Sequence, residues 1–146
     1  MRKHFTEVAN PNFFDQHPQE FWYFYGQRHQ LYKDTAPHSG FDQLLNLTTK
    51  LKDPTDSFVI TSNVDGHFQK SGFDPEKVYE VHGTLQKVQC YDCYEVAEIG
   101  DHDFQLDHQN CRAHNIPLCG KCGMMMRPNV LLFNDYYWIG NEASAH

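Results

Sequence analysis

Four cysteines arranged as two C-x-x-C pairs are the residues of this sequence best suited to metal chemistry. The first pair is Cys90 and Cys93, and the second is Cys119 and Cys122. Two such pairs can place four thiolates tetrahedrally around one zinc ion, and thiolates are strong zinc ligands in closed structural sites. Gly123 follows the second pair, which is typical of a tight turn that directs backbone N–H groups towards the sulfurs. The pattern predicts a structural zinc site, so catalysis would have to lie elsewhere.

A second set of zinc ligands is also compatible with the sequence. It would combine the first cysteine pair with Cys111 and His114. Seventeen residues separate Cys93 from Cys111, within the usual range for paired zinc ligands, whereas 25 separate Cys93 from Cys119. The symmetry of two C-x-x-C pairs and the glycine after Cys122 favour the four-cysteine set.

His82 is the first candidate for acid–base chemistry. It follows a short apolar segment at residues 78–81 and precedes Gly83. A histidine side chain suits proton abstraction near neutral pH because its unperturbed pKa lies close to that range. The chain contains ten histidines, so position alone favours a surface or core role for His82.

A polar turn at residues 63–66 is a candidate ligand-binding loop. Asn63 and Asp65 follow a β-branched run at residues 57–61, and Gly66 comes next. Ligands of open α/β sheets bind just beyond the carboxyl ends of the strands, where these side chains could bond a ribose or an amide. Taken alone, the pattern favours an Asx-type turn that ends a strand.

The elements that must position these residues begin with a helical, aromatic-rich segment at residues 11–33. Asn10-Pro11 predicts a helix start, and Pro18 predicts the first turn of a second helix. The apolar side chains of this segment recur at three- and four-residue spacings, which predicts that they pack in the core. They are Phe13, Phe14, Phe21, Trp22, Phe24, Tyr25 and Leu31. A loop is predicted at residues 35–40 and a further helical face at residues 41–47.

Short strands are predicted on either side of the polar turn. Residues 57–61 and 78–81 suit a buried parallel sheet, and strand-like segments surround the cysteine pairs at residues 84–93 and 116–133. The polar residues 94–118 predict a loop insertion. The expected fold class is therefore α/β, with a partial Rossmann-like parallel sheet, a helical segment and a small four-cysteine zinc-ribbon module.

Composition excludes several classes of protein. The chain has 146 residues with a net charge of −7, and no run of Lys and Arg occurs, which argues against a nucleic-acid partner. No apolar stretch is long enough to cross a membrane, and no signal-peptide pattern opens the sequence. Cysteines in C-x-x-C pairs suit metal binding in a reducing compartment. We expect a soluble, intracellular, cytoplasmic protein with no membrane partner.

Taken in order, these motifs resemble the sirtuins, which are NAD-dependent protein lysine deacylases. The resemblance rests on residues 61–66, Gln69-Lys-Ser-Gly72, Glu80-Val-His82-Gly83, the two cysteine pairs and residues 127–135. The aromatic segment at residues 14–25 also resembles the helix that precedes the sirtuin strand. The order and spacing are specific even though each motif alone is not.

The resemblance implies a role for each matching residue. His82 matches the catalytic base that takes a proton from the ribose hydroxyls of NAD. Asn63 and Asp65 match the residues that orient the nicotinamide ribose and bind the carboxamide, and Ser62 stands beside them as a further cofactor-binding position. The acyl-lysine would lie along Val130, Leu131 and Phe133, paired as an added strand, and the structural zinc would be held by Cys90, Cys93, Cys119 and Cys122. The products would be nicotinamide, O-acyl-ADP-ribose and the deacylated lysine.

The sequence departs from the sirtuin pattern at several points. Ser62 replaces the usual glutamine, and Asn134 and Asp135 replace Gly-Glu. The 146 residues contain no Gly-Ala-Gly phosphate loop, no Gly-Ile-Pro-Asp-Phe-Arg segment and no Gly-Thr-Ser strand. A glycine-rich helix N-terminus normally holds the pyrophosphate of a dinucleotide, so we expect weak NAD binding by this chain alone.

The expected organisation has three parts. Residues 1–83 form a helical segment and partial NAD-binding region, residues 84–128 form the zinc module, and residues 129–146 return to the Rossmann-like region with the acyl-peptide segment. Two alternatives remain open: a sirtuin-type NAD glycohydrolase that uses the same residues, and a truncated non-catalytic zinc-binding fragment. The oligomeric state is not indicated by the sequence.

Overall fold

The computed structural model describes residues 3–53 and 56–140 as helices in the first half and mostly strands in the second. The helices are α1 (Phe5–Val8), α2 (Pro11–Gln16), α3 (Pro18–Asp34), α4 (Ser39–Thr48) and α5 (His67–Lys70), with a 3-10 turn at Pro75–Lys77. The strands are β1 (Val59–Thr61), β2 (Val78–Glu80), β3 (Gly83–Cys90), β4 (Val96–Glu98), β5 (Leu106–Asp107), β6 (Arg112–Ala113) and β7 (Met126–Val130).

Local sequence signals explain where α2 and α3 begin. The Asn10 side chain accepts a hydrogen bond from the backbone N–H of Asn12 at 3.0 Å, and Pro11 occupies the first turn of α2. Pro18 begins α3 in the same manner, where a missing N–H costs no helical hydrogen bond. The predicted helix boundaries at residues 10–11 and 18 are confirmed. The predicted loop at residues 35–40 is shorter than expected, because α4 already begins at Ser39.

The strands form three small sheets. β1 and β2 pair in parallel, with Thr61 opposite Glu80. β3 is the centre of an antiparallel sheet in the order β4-β3-β7, and β5 pairs with β6 as a separate antiparallel hairpin. The parallel pair and the zinc-module strands confirm the predicted α/β class.

The core lies between α3 and the β3–β7 sheet. Phe21 and Trp22 are fully buried, and the Trp22 indole N–H donates to the carbonyl of Met126 at 2.8 Å. The predicted core role is confirmed for Phe13, Phe14, Phe21, Trp22 and Tyr25, all buried. It is wrong for Leu31, which is 60% exposed because it lies on the opposite face of α3.

The segment at residues 94–118 is more ordered than the predicted loop insertion. β4 extends the β3 sheet, and the β5–β6 hairpin packs against α3. Phe104 supplies the apolar anchor, with its ring stacked on Trp22 at a centroid distance of 5.2 Å. Strands of two or three residues carry too little periodicity to be recognised in a polar sequence. No helix within residues 3–53 and 56–140 is long and apolar enough to cross a bilayer.

Candidate functional site

The two cysteine pairs come together at one end of the β3–β7 sheet. The sulfurs of Cys90 and Cys122 are 3.5 Å apart, as are those of Cys93 and Cys119, and all four sulfurs lie within 4.8 Å of one another. Four sulfurs at about 2.3 Å from a tetrahedral zinc would be separated from each other by about 3.8 Å. The cluster therefore has the donor set and the size that a zinc ion requires.

The backbone around the second cysteine pair prepares Cys119 to act as a thiolate. Hydrogen bonds from the backbone N–H groups of Cys122 and Lys121 lower the pKa of the Cys119 thiol to about 7. The turn is closed by the N–H of Gly123, which donates to the carbonyl of Cys119 at 2.8 Å. In this turn Gly123 adopts a φ of +77°, a left-handed conformation that glycine reaches without strain. The turn therefore explains the glycine that follows the second cysteine pair.

The alternative ligand set is not assembled. Cys111 lies between the strands of the β5–β6 hairpin, where its sulfur is 4.0 Å from the carbonyl of His108. His114 lies beyond the second strand of that hairpin and is 3.9 Å from Asp107. Among the residues that the structure describes, the four-cysteine cluster is the one group that brings the ligand atoms of three or more His, Cys, Asp or Glu side chains within 4.8 Å of one another.

A second candidate site is a cavity of about 410 Å³ between α3, the carboxyl end of β1, and the β3–β7 sheet. His82 and Ser62 border it together with Leu131 and Phe133. The parallel pairing of β1 and β2 explains why Ser62 and His82 lie at the same edge, since the N–H of Val81 donates to the carbonyl of Thr61 at 2.9 Å. Both side chains therefore follow strands that end at the same edge.

Gly83 allows the His82 segment to pass close to β7. It has a φ of +76°, and a Cβ at this position would lie 2.1 Å from the carbonyl oxygen of Asn129. The residue therefore has to be glycine for both steric and conformational reasons. The close approach lets the Leu131 N–H donate to the carbonyl of His82 at 2.9 Å.

The predicted ribose-binding loop is held by its own side chains. The Asp65 carboxylate accepts from the N–H of His67 at 3.0 Å, and the Thr61 hydroxyl accepts from the N–H of Asn63 at 3.1 Å. Leu85 of β3 donates to the carbonyl of Val64 at 3.0 Å, which ties the loop to the strand after His82. Asn63 borders a different cavity, of about 540 Å³, beside Leu44 of α4.

The predicted acyl-peptide residues occupy one wall of the His82 cavity. Val130 is buried at the end of β7, and Leu131 and Phe133 are partly exposed along the cavity. Asn134 adopts a left-handed conformation with a φ of +58°. Asparagine tolerates this region better than most residues, which explains how it replaces the glycine expected at this position.

Sequence analysis missed the wall contributed by α3. Tyr25, Arg28 and Tyr32 border the His82 cavity. The Arg28 guanidinium lies 3.4 Å from the centroid of the Phe24 ring, and its pKa is lowered by burial. A signal was present in the sequence, because residues 25, 28 and 32 share one helical face and place a cation within an aromatic stripe.

Comparisons with known proteins agree with this arrangement. The sequence model of the Sir2 family matches residues 1–139. An NAD-dependent protein deacylase of Aquifex aeolicus is 32% identical over 88% of this chain and 48% of its own length. An NAD-dependent protein deacetylase of Clostridium acetobutylicum is 29% identical over 88% of this chain and 47% of its own.

Solved structures give the same result. A Sir2 homologue in complex with NAD superposes with a TM-score of 0.74 at 27% identity, over 92% of this chain and 47% of the homologue. A Sir2 protein crystallised with the inhibitor EX-527, 2'-O-acetyl-ADP-ribose and a deacetylated p53 peptide has a TM-score of 0.67 at 27% identity, over 91% and 52%. The chain belongs to the Sir2 family, the sirtuins, and spans about half the length of the relatives it matches.

Proposed function

We propose that this chain forms the helical and zinc-binding part of an NAD-dependent protein lysine deacylase, with His82 as the general base. One observation carries the proposal: His82 borders the same cavity as Leu131 and Phe133, the residues expected to hold the acyl-lysine. The relatives named NAD-dependent protein deacylase and deacetylase support the same reaction class.

The resemblance supports a site for the nicotinamide end of NAD beyond β1, where Ser62 borders the His82 cavity and Asn63 borders the cavity beside Leu44. Asn63, Asp65 and Ser62 lie on the loop beyond β1, where they would orient the ribose and the carboxamide. No G-x-G sequence occurs among the 146 residues, so the pyrophosphate end has no glycine-rich turn to bind it. When bound, NAD would supply the electrophilic ribose carbon and the nicotinamide leaving group.

The proposed reaction assigns a distinct task to each side of the cavity. His82 would accept the proton of a ribose hydroxyl at the edge formed by β1 and β2. Val130, Leu131 and Phe133 would align the acyl-lysine as an added strand beside β7. The partly apolar walls of the cavity would exclude water from the reacting groups, which favours acyl transfer to the ribose over hydrolysis.

We also propose a structural role for the zinc held by Cys90, Cys93, Cys119 and Cys122, within a module spanning residues 84–128. Residues 1–83 and 129–146 would flank it, the second boundary falling inside β7. An intracellular, cytoplasmic location is supported by the five free cysteines, since cysteines without disulfides are typical of reducing compartments. The net charge of −7 supports a protein partner in preference to nucleic acid.

The test is His82→Ala in a protein that joins these residues to a glycine-rich pyrophosphate-binding segment. Loss of a positioned base should slow NAD-dependent turnover of an acetylated peptide by about 10²- to 10⁴-fold. His114→Ala is the matched control, since His114 is a histidine exposed on the surface. Zinc content and thermal unfolding should match the parent in both variants. Normal turnover by His82→Ala would contradict the proposal, and NAD cleavage independent of the peptide would support the glycohydrolase alternative.

A further inference from the structure

Arg127, the second residue of β7, is a fully buried cation. Its side chain has no exposed surface, and its guanidinium pairs with the equally buried carboxylate of Asp135. A buried ion pair contributes little net stability, since desolvation offsets the attraction between the charges. The ion pair therefore matters more for the backbone conformation that it fixes than for the stability that it adds.

The ion pair holds the backbone on both sides of Leu131. Arg127 donates to the carbonyl of Val130 at 3.1 Å, and Asp135 accepts from the N–H of Leu132 at 3.2 Å. These two bonds leave Leu131 directed towards the cavity, where its own N–H meets the His82 carbonyl. The Asp135 carboxylate also accepts from the N–H of Tyr137 at 3.1 Å, which closes the turn after residue 134.

The same guanidinium reaches the first cysteine pair. Arg127 donates to the hydroxyl of Tyr91 at 2.8 Å, and Tyr91 lies between Cys90 and Cys93. The Tyr91 ring is itself fixed by edge contacts with Phe14 and Tyr137, at centroid distances of 5.8 and 5.9 Å. A continuous set of contacts thus runs from the cysteine pair to the cavity wall.

We propose that Tyr91, Arg127 and Asp135 form a positioning relay that holds residues 130–133 in the conformation needed to bind the acyl-lysine and ties that conformation to the zinc module. The relay rests on the proposed function for its substrate, but the conformation it sets can be measured without substrate. The three residues are positioning residues, because none of them borders the cavity.

The first experiment measures amide hydrogen exchange in the zinc-loaded full chain. Asp135→Asn removes the charge and keeps the shape, whereas Tyr91→Phe removes one hydroxyl and leaves the ion pair. We expect the amides of Leu131 and Leu132 to exchange about tenfold faster in Asp135→Asn, the effect of losing about one hydrogen bond. Tyr91→Phe should accelerate the exchange of the same two amides by a smaller factor. Because this variant keeps the ion pair, it still tests the proposal if Asp135→Asn does not fold.

Controls separate a local effect from general destabilisation. The amides paired between β3 and β4 should keep their wild-type exchange rates in both variants. Asp101→Asn breaks an exposed ion pair with Lys33 and should leave residues 131–133 unchanged. Asp135→Glu restores the charge and should return the exchange rates to within about threefold of wild type. Unchanged exchange at Leu131 and Leu132, or acceleration matched throughout β3, would overturn the relay.

The second experiment measures the affinity of an acetyl-lysine peptide by fluorescence anisotropy. Affinity should fall in Asp135→Asn and Tyr91→Phe in proportion to the faster exchange, and recover in Asp135→Glu. A loss of affinity without a change in exchange would overturn the relay, because the segment would then still be in place. If the wild-type chain binds no acetyl-lysine peptide, the proposed function fails for this chain, and the exchange data still decide the relay.

Discussion

Replacing Gly83 with alanine should destabilise the protein far more than the same change at another glycine of similar conformation. A left-handed conformation costs an L-residue about 1–2 kcal/mol. At Gly83 the added Cβ would also lie 2.1 Å from the carbonyl oxygen of Asn129, a backbone atom that cannot move aside alone. β3 and β7 would have to separate, which would break the bond between Leu131 and His82.

The expected cost follows from adding these effects. Relieving the overlap by moving the strands apart should cost about 1–3 kcal/mol, as overpacking usually does, so Gly83→Ala should lower the free energy of unfolding by about 2–5 kcal/mol in all. Gly100→Ala is the matched control, since Gly100 has a φ of +58° and no atom within 4 Å of its ideal Cβ. Gly100→Ala should lower the free energy of unfolding only by the backbone strain of about 1–2 kcal/mol.

Urea unfolding of the zinc-loaded chain, followed by the fluorescence of Trp22 and Trp138, measures both costs. Zinc content should be determined for each variant, so that loss of metal is not mistaken for strain at the strand. Equal destabilisation by the two substitutions would refute the argument. It would mean that the strands can move apart freely beside His82, and that glycine is needed there only for its backbone angles.

Four further predictions concern the two candidate sites. Cys119→Ala should lose both zinc and fold by metal analysis and circular dichroism, whereas Cys111→Ala should keep about one zinc per chain; the reverse result would favour the alternative ligands. Calorimetric titration of the chain with NAD should show no micromolar binding, because no glycine-rich turn is present to hold the pyrophosphate. Burial raises the pKa of Glu80 from its ordinary 4.5 to about 7, so its ionisation should reduce stability as pH rises from about 4.5 to 7. Glu80→Gln should therefore match wild type near pH 4.5 and become the more stable protein above pH 7, whereas a constant difference in unfolding free energy would contradict the assignment. Arg28 places a cation on the cavity wall, so peptides whose acyl group ends in a carboxylate should bind more tightly than acetyl-lysine peptides, and Arg28→Gln should abolish that preference.

The parts of the fold that sequence predicted well are those encoded by residues close together in the chain. Helix starts at Pro11 and Pro18 follow from the geometry of proline. The common edge of Ser62 and His82 follows from two short apolar strands that pair in parallel. Each cysteine pair follows from its own C-x-x-C spacing, and the symmetry of the two pairs together with Gly123 indicated that the pairs act as one set.

The parts that sequence did not predict depend on distant contacts. The β5–β6 hairpin is stabilised where Phe104 packs against Trp22, and neither residue identifies the other in the sequence. Arg28 borders the cavity because α3 lies across it from residues 130–133, which are about 100 residues further along the chain. Arg127 and Asp135 are eight residues apart, yet their pairing requires a turn that no local pattern of residues 128–134 predicts.

The paired cysteines have a consequence for how this chain can vary in length. A metal held by Cys93 and Cys119 would close residues 94–118 into a loop whose ends are fixed by the ion. The entropy of such a closure grows only with the logarithm of loop length, so doubling the loop would cost about 0.6 kcal/mol. The zinc module is therefore where related chains can lengthen or shorten at little cost, provided that the contact between Phe104 and Trp22 is kept.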